Sequence, residues 1–274
     1  MIEIPESHTL ANQLNETIKG KIIKKVIAGH TPHGFTFFFS DPQNYPGLLE
    51  RKTVNVAEAM AGQVEIRAGD ARLVFNDGVN IRYFEKGAKL PQKHQFFMEL
   101  DDESMLVCTV QMYGGIYAFL EGENDNPYYL AAKEKPSPLS EAFDAAYFNA
   151  LWDHAKPNLS AKAFLATEQR IPGLGNGVLQ DILFNARINP RTKLSDIPSK
   201  EPLYKSIKET LAAMTDCGGR DTEKDLFGNA GGYKTILSKN TWKQGCPLCG
   251  GPITRAAFLG GNVYDCPVCQ KIKG

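Results

Sequence analysis

Gly245-Cys246-Pro247-Leu248-Cys249 and Tyr264-Asp265-Cys266-Pro267-Val268-Cys269 decide how this chain reads. Together the four cysteines stand as C-x2-C-x16-C-x2-C. Each short pair turns two sulfurs toward one point, and the spacer between the pairs has the length of a hairpin. Cys246, Cys249, Cys266 and Cys269 can therefore close a tetrahedron around one Zn2+. With no position left for water, that ion is structural and not catalytic. Two redox disulfides are the competing reading of the spacing. They suit an exported protein, whereas Met1-Ile2-Glu3-Ile4-Pro5-Glu6 shows neither a basic n-region nor an apolar h-region. Cys108, in an apolar run, and Cys217, beside a glycine turn, read as reduced structural thiols.

Charge changes along the chain. Residues 151–274 hold 17 Lys+Arg and 11 Asp+Glu, a net +6, while the residues before them carry −6 and the whole is neutral. An acidic half joined to a basic half points to a polyanion on one face. A hydrophobic content of 42% over 274 residues is ordinary for a globular protein and ample for two cores. No stretch approaches the roughly eighteen uncharged apolar residues that a membrane span requires. The default expectations are then a cytoplasmic location, no membrane partner and a monomer.

Upstream of the cysteines the pattern is helical, with helices expected over 141–154, 161–169, 177–185 and 202–214. From 21 to 120 it is strand-like, in short runs rich in Val, Ile, Phe and Tyr over 21–28, 34–39, 62–67, 72–75, 95–100, 105–111 and 116–120. Turn signals such as Ala68-Gly69-Asp70 and Asn76-Asp77-Gly78 separate them. Leu10, Leu14 and Ile18 fall at helical spacing and suggest a short helix over 11–19. The polar, proline-bearing stretch 121–138 reads as a linker. The fold class is α+β: a β-sandwich domain over 1–125, a helical domain over 139–238 and a four-cysteine zinc finger over 239–274.

Two stretches can carry chemistry. Arg170-Ile171-Pro172-Gly173-Leu174-Gly175-Asn176-Gly177 joins two amphipathic helices. Its glycines permit left-handed turns and close backbone approach. Asn176 stands where it can cap the next helix, leaving free N–H groups as an anion site; a connector needed only for packing fits the same residues. At the N-terminus, Glu3 beside an α-amino group makes a possible acid/base and nucleophile pair. Glu3 and Glu6 can equally be surface charges. Arg220-Asp221-Thr222-Glu223-Lys224-Asp225 reads as a solvent-facing charge run, and Lys93-His94 as structural.

The opening MIEIPE, the loop RIPGLGNGVLQDILFNARINPR and the ending CPLCGGPI…YDCPVCQK, in this order, resemble the formamidopyrimidine-DNA glycosylase / endonuclease VIII family of base-excision repair enzymes. The resemblance spans the whole chain. It implies a β-sandwich, a helix–two-turn–helix module and a zinc finger. It further implies that double-stranded DNA with a damaged base or an abasic site is the partner, that the nucleotide is flipped out, and that the base is excised, with strand cleavage by β-elimination in most members.

Residue by residue, the resemblance makes Glu3 the acid/base, Asn176 a holder of phosphates, Lys162 a lysine near the DNA and the four cysteines the zinc ligands. It also shows departures. Ile2 stands where the family exposes a proline nucleophile after loss of the initiator methionine, and a large β-branched second residue generally leaves that methionine in place. Gln63 stands where a lysine grips phosphate, and Gly261 where an arginine of the zinc hairpin does so. Gln111-Met112-Tyr113-Gly114 aligns loosely with a wedge that enters the base stack, though plain strand residues read more simply. The departures keep open a second function: a diverged binder of damaged or structured DNA without glycosylase or lyase activity.

Overall fold

The computed structural model describes residues 1–76 and 78–272; Asp77 of the expected Asn76-Asp77-Gly78 turn, and Lys273 and Gly274 of the expected zinc finger, lie outside the described residues. The chain opens with helix α1 (Ile4–Thr17). It starts well before the helix expected over 11–19, because its start signals are the residues read above as possible surface charges. Pro5 sits in the first turn, where its fixed φ suits a helix. Glu6 reaches back to accept the Glu3 N–H at 3.2 Å.

Among the described residues nine strands follow: β1 (Ile23–Ala28), β2 (Thr36–Phe38), β3 (Val54–Met60), β4 (Gln63–Ala68), β5 (Ala71–Phe75), β6 (Val79–Phe84), β7 (Phe96–Leu100), β8 (Met105–Val110) and β9 (Gly114–Leu120), with a short helix α2 (Tyr45–Leu49) between β2 and β3. They form a four-stranded sheet ordered β1-β7-β8-β6 and a five-stranded sheet ordered β2-β9-β5-β4-β3. All ladders are antiparallel except β2 on β9. The inward faces, including Val26, Ile66, Leu73, Phe75, Ile81, Phe96 and Met98, make one core with Leu10, Leu14 and Ile18 of α1.

The stretch 121–138 contains helix α3 (Pro127–Glu134). Tyr129 packs on Val74 and Phe119 on the outer face of the five-stranded sheet and donates to Glu65 at 2.8 Å. Aromatic and alanine residues inside an otherwise polar segment are what fold it down. Helices α4 (Ala145–Asp153), α5 (Ala161–Ala166), α6 (Val178–Asn185) and α7 (Glu201–Asp216) then build a second core around Phe148, Phe164, Leu179, Leu183 and Leu211. Asp144 and Ser160 cap α4 and α5 through their side chains. Ile4 of α1 belongs to this second core while Ile2 belongs to the first, so the chain start stitches the two together.

The chain ends in a hairpin, β10 (Thr254–Phe258) and β11 (Gly261–Asp265). Its turn residues Leu259 and Gly260 both have positive φ, +47° and +74°, the backbone of a two-residue hairpin turn whose twist matches its strands. Among the described residues no helix is long and apolar enough to cross a membrane.

Candidate active site and nucleic-acid interface

A cleft of about 610 Å³ runs between the sandwich and the helical core. The chain start, the turn between β3 and β4, the loop between α5 and α6, and the tip of the zinc hairpin all line it. Backbone meets backbone at its floor. A Cβ on Gly62 would lie 3.0 Å from Gly173 Cα, and one on Gly173 would lie 2.1 Å from Gly62 N. Gly173 also has φ +77°, so two independent constraints demand glycine there. Ile4 N–H donates to Gly173 O at 3.1 Å and Ser7 Oγ to Ala61 O at 2.6 Å, which fixes the three segments to one another.

Glu3 is buried on the wall of this cleft. Its Oε1 accepts from Gly177 N–H at 2.9 Å and its Oε2 from Val178 N–H at 2.8 Å. These are opening N–H groups of α6, which lack a partner in their own helix and sit at the positive end of its dipole. The expectation that Asn176 caps this helix is thereby corrected. A carboxylate with two oxygens satisfies two amides at once, and Asn176 instead donates to Asn262 O at 3.1 Å, tying the loop to the zinc hairpin. The anion site read from the sequence exists, and a residue of the same chain fills it. Gly175 and Gly177 are needed for approach: an added Cβ would fall 2.7 Å from Glu3 Cδ in one case and 1.5 Å from Arg220 Nη1 in the other.

Arg220 corrects a second expectation. It does not face solvent; it is fully buried under Glu3 and Glu6. Its Nε and Nη2 donate to the two oxygens of Glu6 at 2.9 and 2.7 Å, and its Nη1 lies 3.6 Å from Glu3 Oε2. Burial pushes the Glu3 carboxyl above the ordinary carboxylate range; Arg220 pulls it down, Glu6 pushes it up, and the two backbone bonds pull it down without cancelling the burial. Burial pushes Glu6 up as well, but the charge and hydrogen bonds of Arg220 outweigh it and hold Glu6 below that range. Sequence reasoning missed Arg220 as a partner of the site. The available signal was the i, i+3 spacing of Glu3 and Glu6, which puts two acids on one helix face and calls for a cation.

The other expected site residues are distributed around this centre. The Met1 amine pairs with Glu223, which lies off the cleft wall, and the Ile2 side chain is buried in the sandwich core. Lys162 lines the cleft and donates to Phe258 O at 2.6 Å, holding the hairpin tip; burial and the nearby Arg191 lower its pKa. Gln63 is buried and also lines the cleft. Gly261 packs against the Asn176 amide: a Cβ added to it would lie 3.1 Å from Asn176 Nδ2, so a side chain there requires that amide to give by a few tenths of an ångström. Gln111, Met112 and Tyr113 are not strand residues: β8 ends before them, Met112 and Tyr113 are 71% and 40% exposed, and Tyr113 lines the cleft. Arg67 pairs with Glu58 and Glu65, and Arg72 with Glu65 and Glu121, so both are committed within the sandwich.

The four cysteine sulfurs lie within 4.8 Å of one another, with Cys246–Cys269 at 3.8 Å and Cys249–Cys266 at 3.5 Å. A disulfide needs about 2.05 Å, whereas sulfurs about 2.3 Å from a shared zinc stand roughly 3.8 Å apart. The set fits one structural zinc ion. Cys269 N–H donates to Cys266 Sγ at 3.4 Å, helping to orient a thiolate. Gln180 of α6 accepts from Tyr264 N–H at 3.0 Å, and Gln270 donates to Ile188 O at 2.9 Å, which dock the ribbon on the helical core.

Comparison with known proteins agrees with this layout. No protein-family model matches the chain. Formamidopyrimidine-DNA glycosylase of Deinococcus radiodurans is 26% identical over 285 residues, covering 100% of this chain and 98% of that protein, and the Bacillus subtilis protein of the same name is 26% identical over 284 residues with full coverage of both. Along its whole length the chain is similar to formamidopyrimidine-DNA glycosylases. The fold is shared with the Thermus thermophilus MutM (Fpg) protein, with a TM-score of 0.81 at 22% identity over 99% of this chain and 100% of the other. It is shared too with Lactococcus lactis Fpg in complex with DNA containing an abasic site, at 0.83 and 23% over 98% and 99%. In this shared fold, α5 and α6 flank the loop that carries Asn176.

Proposed function

We propose that this protein is a DNA glycosylase of base-excision repair that removes oxidised bases from duplex DNA, with Glu3 as its acid/base group. One observation carries the reading: a buried carboxyl, raised in pKa, stands on the wall of an interdomain cleft large enough for a flipped-out nucleotide. The relatives named above are formamidopyrimidine-DNA glycosylases, and solved neighbours hold DNA with an abasic site or an oxidised pyrimidine. In the hydrolytic route, water attacks C1′ as the bond from C1′ to the base nitrogen breaks. Glu3 takes the proton of that water, and the departing base gains one. The products are free base and an abasic sugar in an unbroken strand.

The hydrolytic route is favoured over the amine route because the Met1 amine is engaged with Glu223 and Ile2 is packed into the sandwich. Asn176 and Lys162 serve the DNA side of the cleft in this reading, and the zinc hairpin supports its rim. Residues 1–125, 139–238 and 239–274 remain our proposed domain limits, and the cytoplasm our proposed location. A pure binder is not favoured, since binding alone gives no reason to bury an acid of raised pKa against the ligand site.

The test is base release from duplexes carrying a formamidopyrimidine or an oxidised pyrimidine, with borohydride trapping run in parallel on protein whose intact mass shows Met1 present. Release without a trapped adduct, abolished in Glu3→Gln, is expected. No release from any duplex would overturn the glycosylase reading; a trapped adduct would overturn the hydrolytic route alone.

A further inference from the structure

We infer that Gln63 reads the extruded base. This rests on the glycosylase reading above and names what selects the substrate within the same cleft. Gln63 opens β4, directly after the Ala61-Gly62 turn that lies against Gly173, so its backbone is fixed beside the chain start that carries Glu3. Its Nε2 donates to Tyr128 O on α3 at 3.2 Å. That bond settles the orientation of the amide, because a carbonyl accepts only from the NH2 end. Oε1 is therefore the free end, and it is buried with no hydrogen-bond partner among the described residues. A buried acceptor left unmade costs stability, so a native structure that keeps one at a ligand site points to a partner that arrives with the ligand.

The chemistry of DNA narrows what that partner is. Phosphate and deoxyribose within a strand offer acceptors and no N–H or O–H donor. The donors belong to the bases, as ring and exocyclic N–H groups. An unpaired acceptor on a residue that lines the cleft cannot grip phosphate and repels it weakly; it can bind a base. The position where the family resemblance implies a phosphate-holding lysine is thus converted here into a base-reading one, specific for lesions that present an N–H toward β4.

The experiment compares kcat/KM for base release from a formamidopyrimidine duplex with the Kd for the same duplex carrying tetrahydrofuran, which has no base. Gln63→Leu, close in size but without the acceptor, is expected to lower kcat/KM about fivefold and to change the tetrahydrofuran Kd less than about twofold, the loss expected for one neutral hydrogen bond. Gln63→Glu keeps an acceptor and is expected to keep the ratio of the two values while weakening both. Equal losses on the two duplexes in Gln63→Leu would show a contact to the backbone and overturn the inference. Absence of base release by the unaltered protein would sink the glycosylase reading, and this inference with it; release with unchanged selectivity in Gln63→Leu sinks the inference only.

Discussion

Replacing Arg220 by Met tests the buried charge cluster most directly. The change keeps the volume roughly constant and removes the guanidinium facing Glu3 and Glu6, whose oxygens it meets at 2.7, 2.9 and 3.6 Å. Breaking a buried pair by deleting one partner costs about 3–5 kcal/mol. The abandoned carboxylates have one escape, which is to bind protons. From an unfolded carboxyl pKa of about 4.3, one protonation costs roughly 3.7 kcal/mol at pH 7 and roughly 1.6 kcal/mol at pH 5.5. The penalty should therefore be about 3–4 kcal/mol at neutrality and shrink to about 2 kcal/mol or less at pH 5.5. The signs run oppositely for the two acids in the unaltered protein. Glu6, held low, contributes stability above the ordinary carboxyl pKa that is lost as pH falls through its own lower value. Glu3, held high, costs stability as pH rises from the ordinary value up to its own. Denaturant melts of both proteins at pH 7 and 5.5 measure the difference. A penalty below about 1 kcal/mol at pH 7, or one that does not change with pH, would refute the idea that Arg220 holds Glu6 ionised in a buried pair of acids.

Two further outcomes follow from the same geometry. Gly177→Ala puts a methyl where Arg220 Nη1 lies and beside Glu3 Oε1; displacing Glu3 by about 1 Å should lower base release on the order of a hundredfold with the chain still folded, as read by circular dichroism and a release assay. Removing zinc with a chelator should free the four thiols, detectable by thiol titration, and abolish DNA binding while the sandwich keeps its near-ultraviolet signal, because the ribbon has its own small core around Phe184, Leu237, Ile253 and Tyr264. Loss of the whole fold in either case would count against the assignment.

The zinc ribbon, the sandwich and the order of the helices were legible because each has a local signature: cysteine spacing, short β-branched runs, and helical periodicity. Strand β3 was not, since Ala57-Glu58-Ala59-Met60 is made of helix formers and becomes a strand only by pairing with β4 across the Ala61-Gly62 turn. Helix α3 was hidden for a related reason. Tyr129 and Ala132 are buried only against a sheet face that a linear reading cannot see. Glu3, the zinc thiols and the special loop could be named from the sequence, but their partners could not. Arg220 is 217 positions from Glu3, and nothing in an Arg-Asp-Thr-Glu-Lys-Asp run marks its first residue as buried and the rest as partly or fully exposed.

Those partners explain why Glu3 rather than Glu6 is suited to chemistry. Two carboxyls and one guanidinium cannot all be neutralised, and distance decides which acid is left over. Arg220 is bidentate on Glu6 and stands 3.6 Å from Glu3, so Glu6 takes the ion pair and its pKa falls while the pKa of Glu3 rises. Neighbouring acids whose environments drive their proton affinities apart divide into a structural and a reactive one. The surplus acid is also the one that lines the cleft and that the α6 amides hold in place. Fixing the domains together and poising the carboxyl are thus achieved by the same bonds, and a protein that needed only the first would gain stability by exchanging Glu3 for a neutral acceptor.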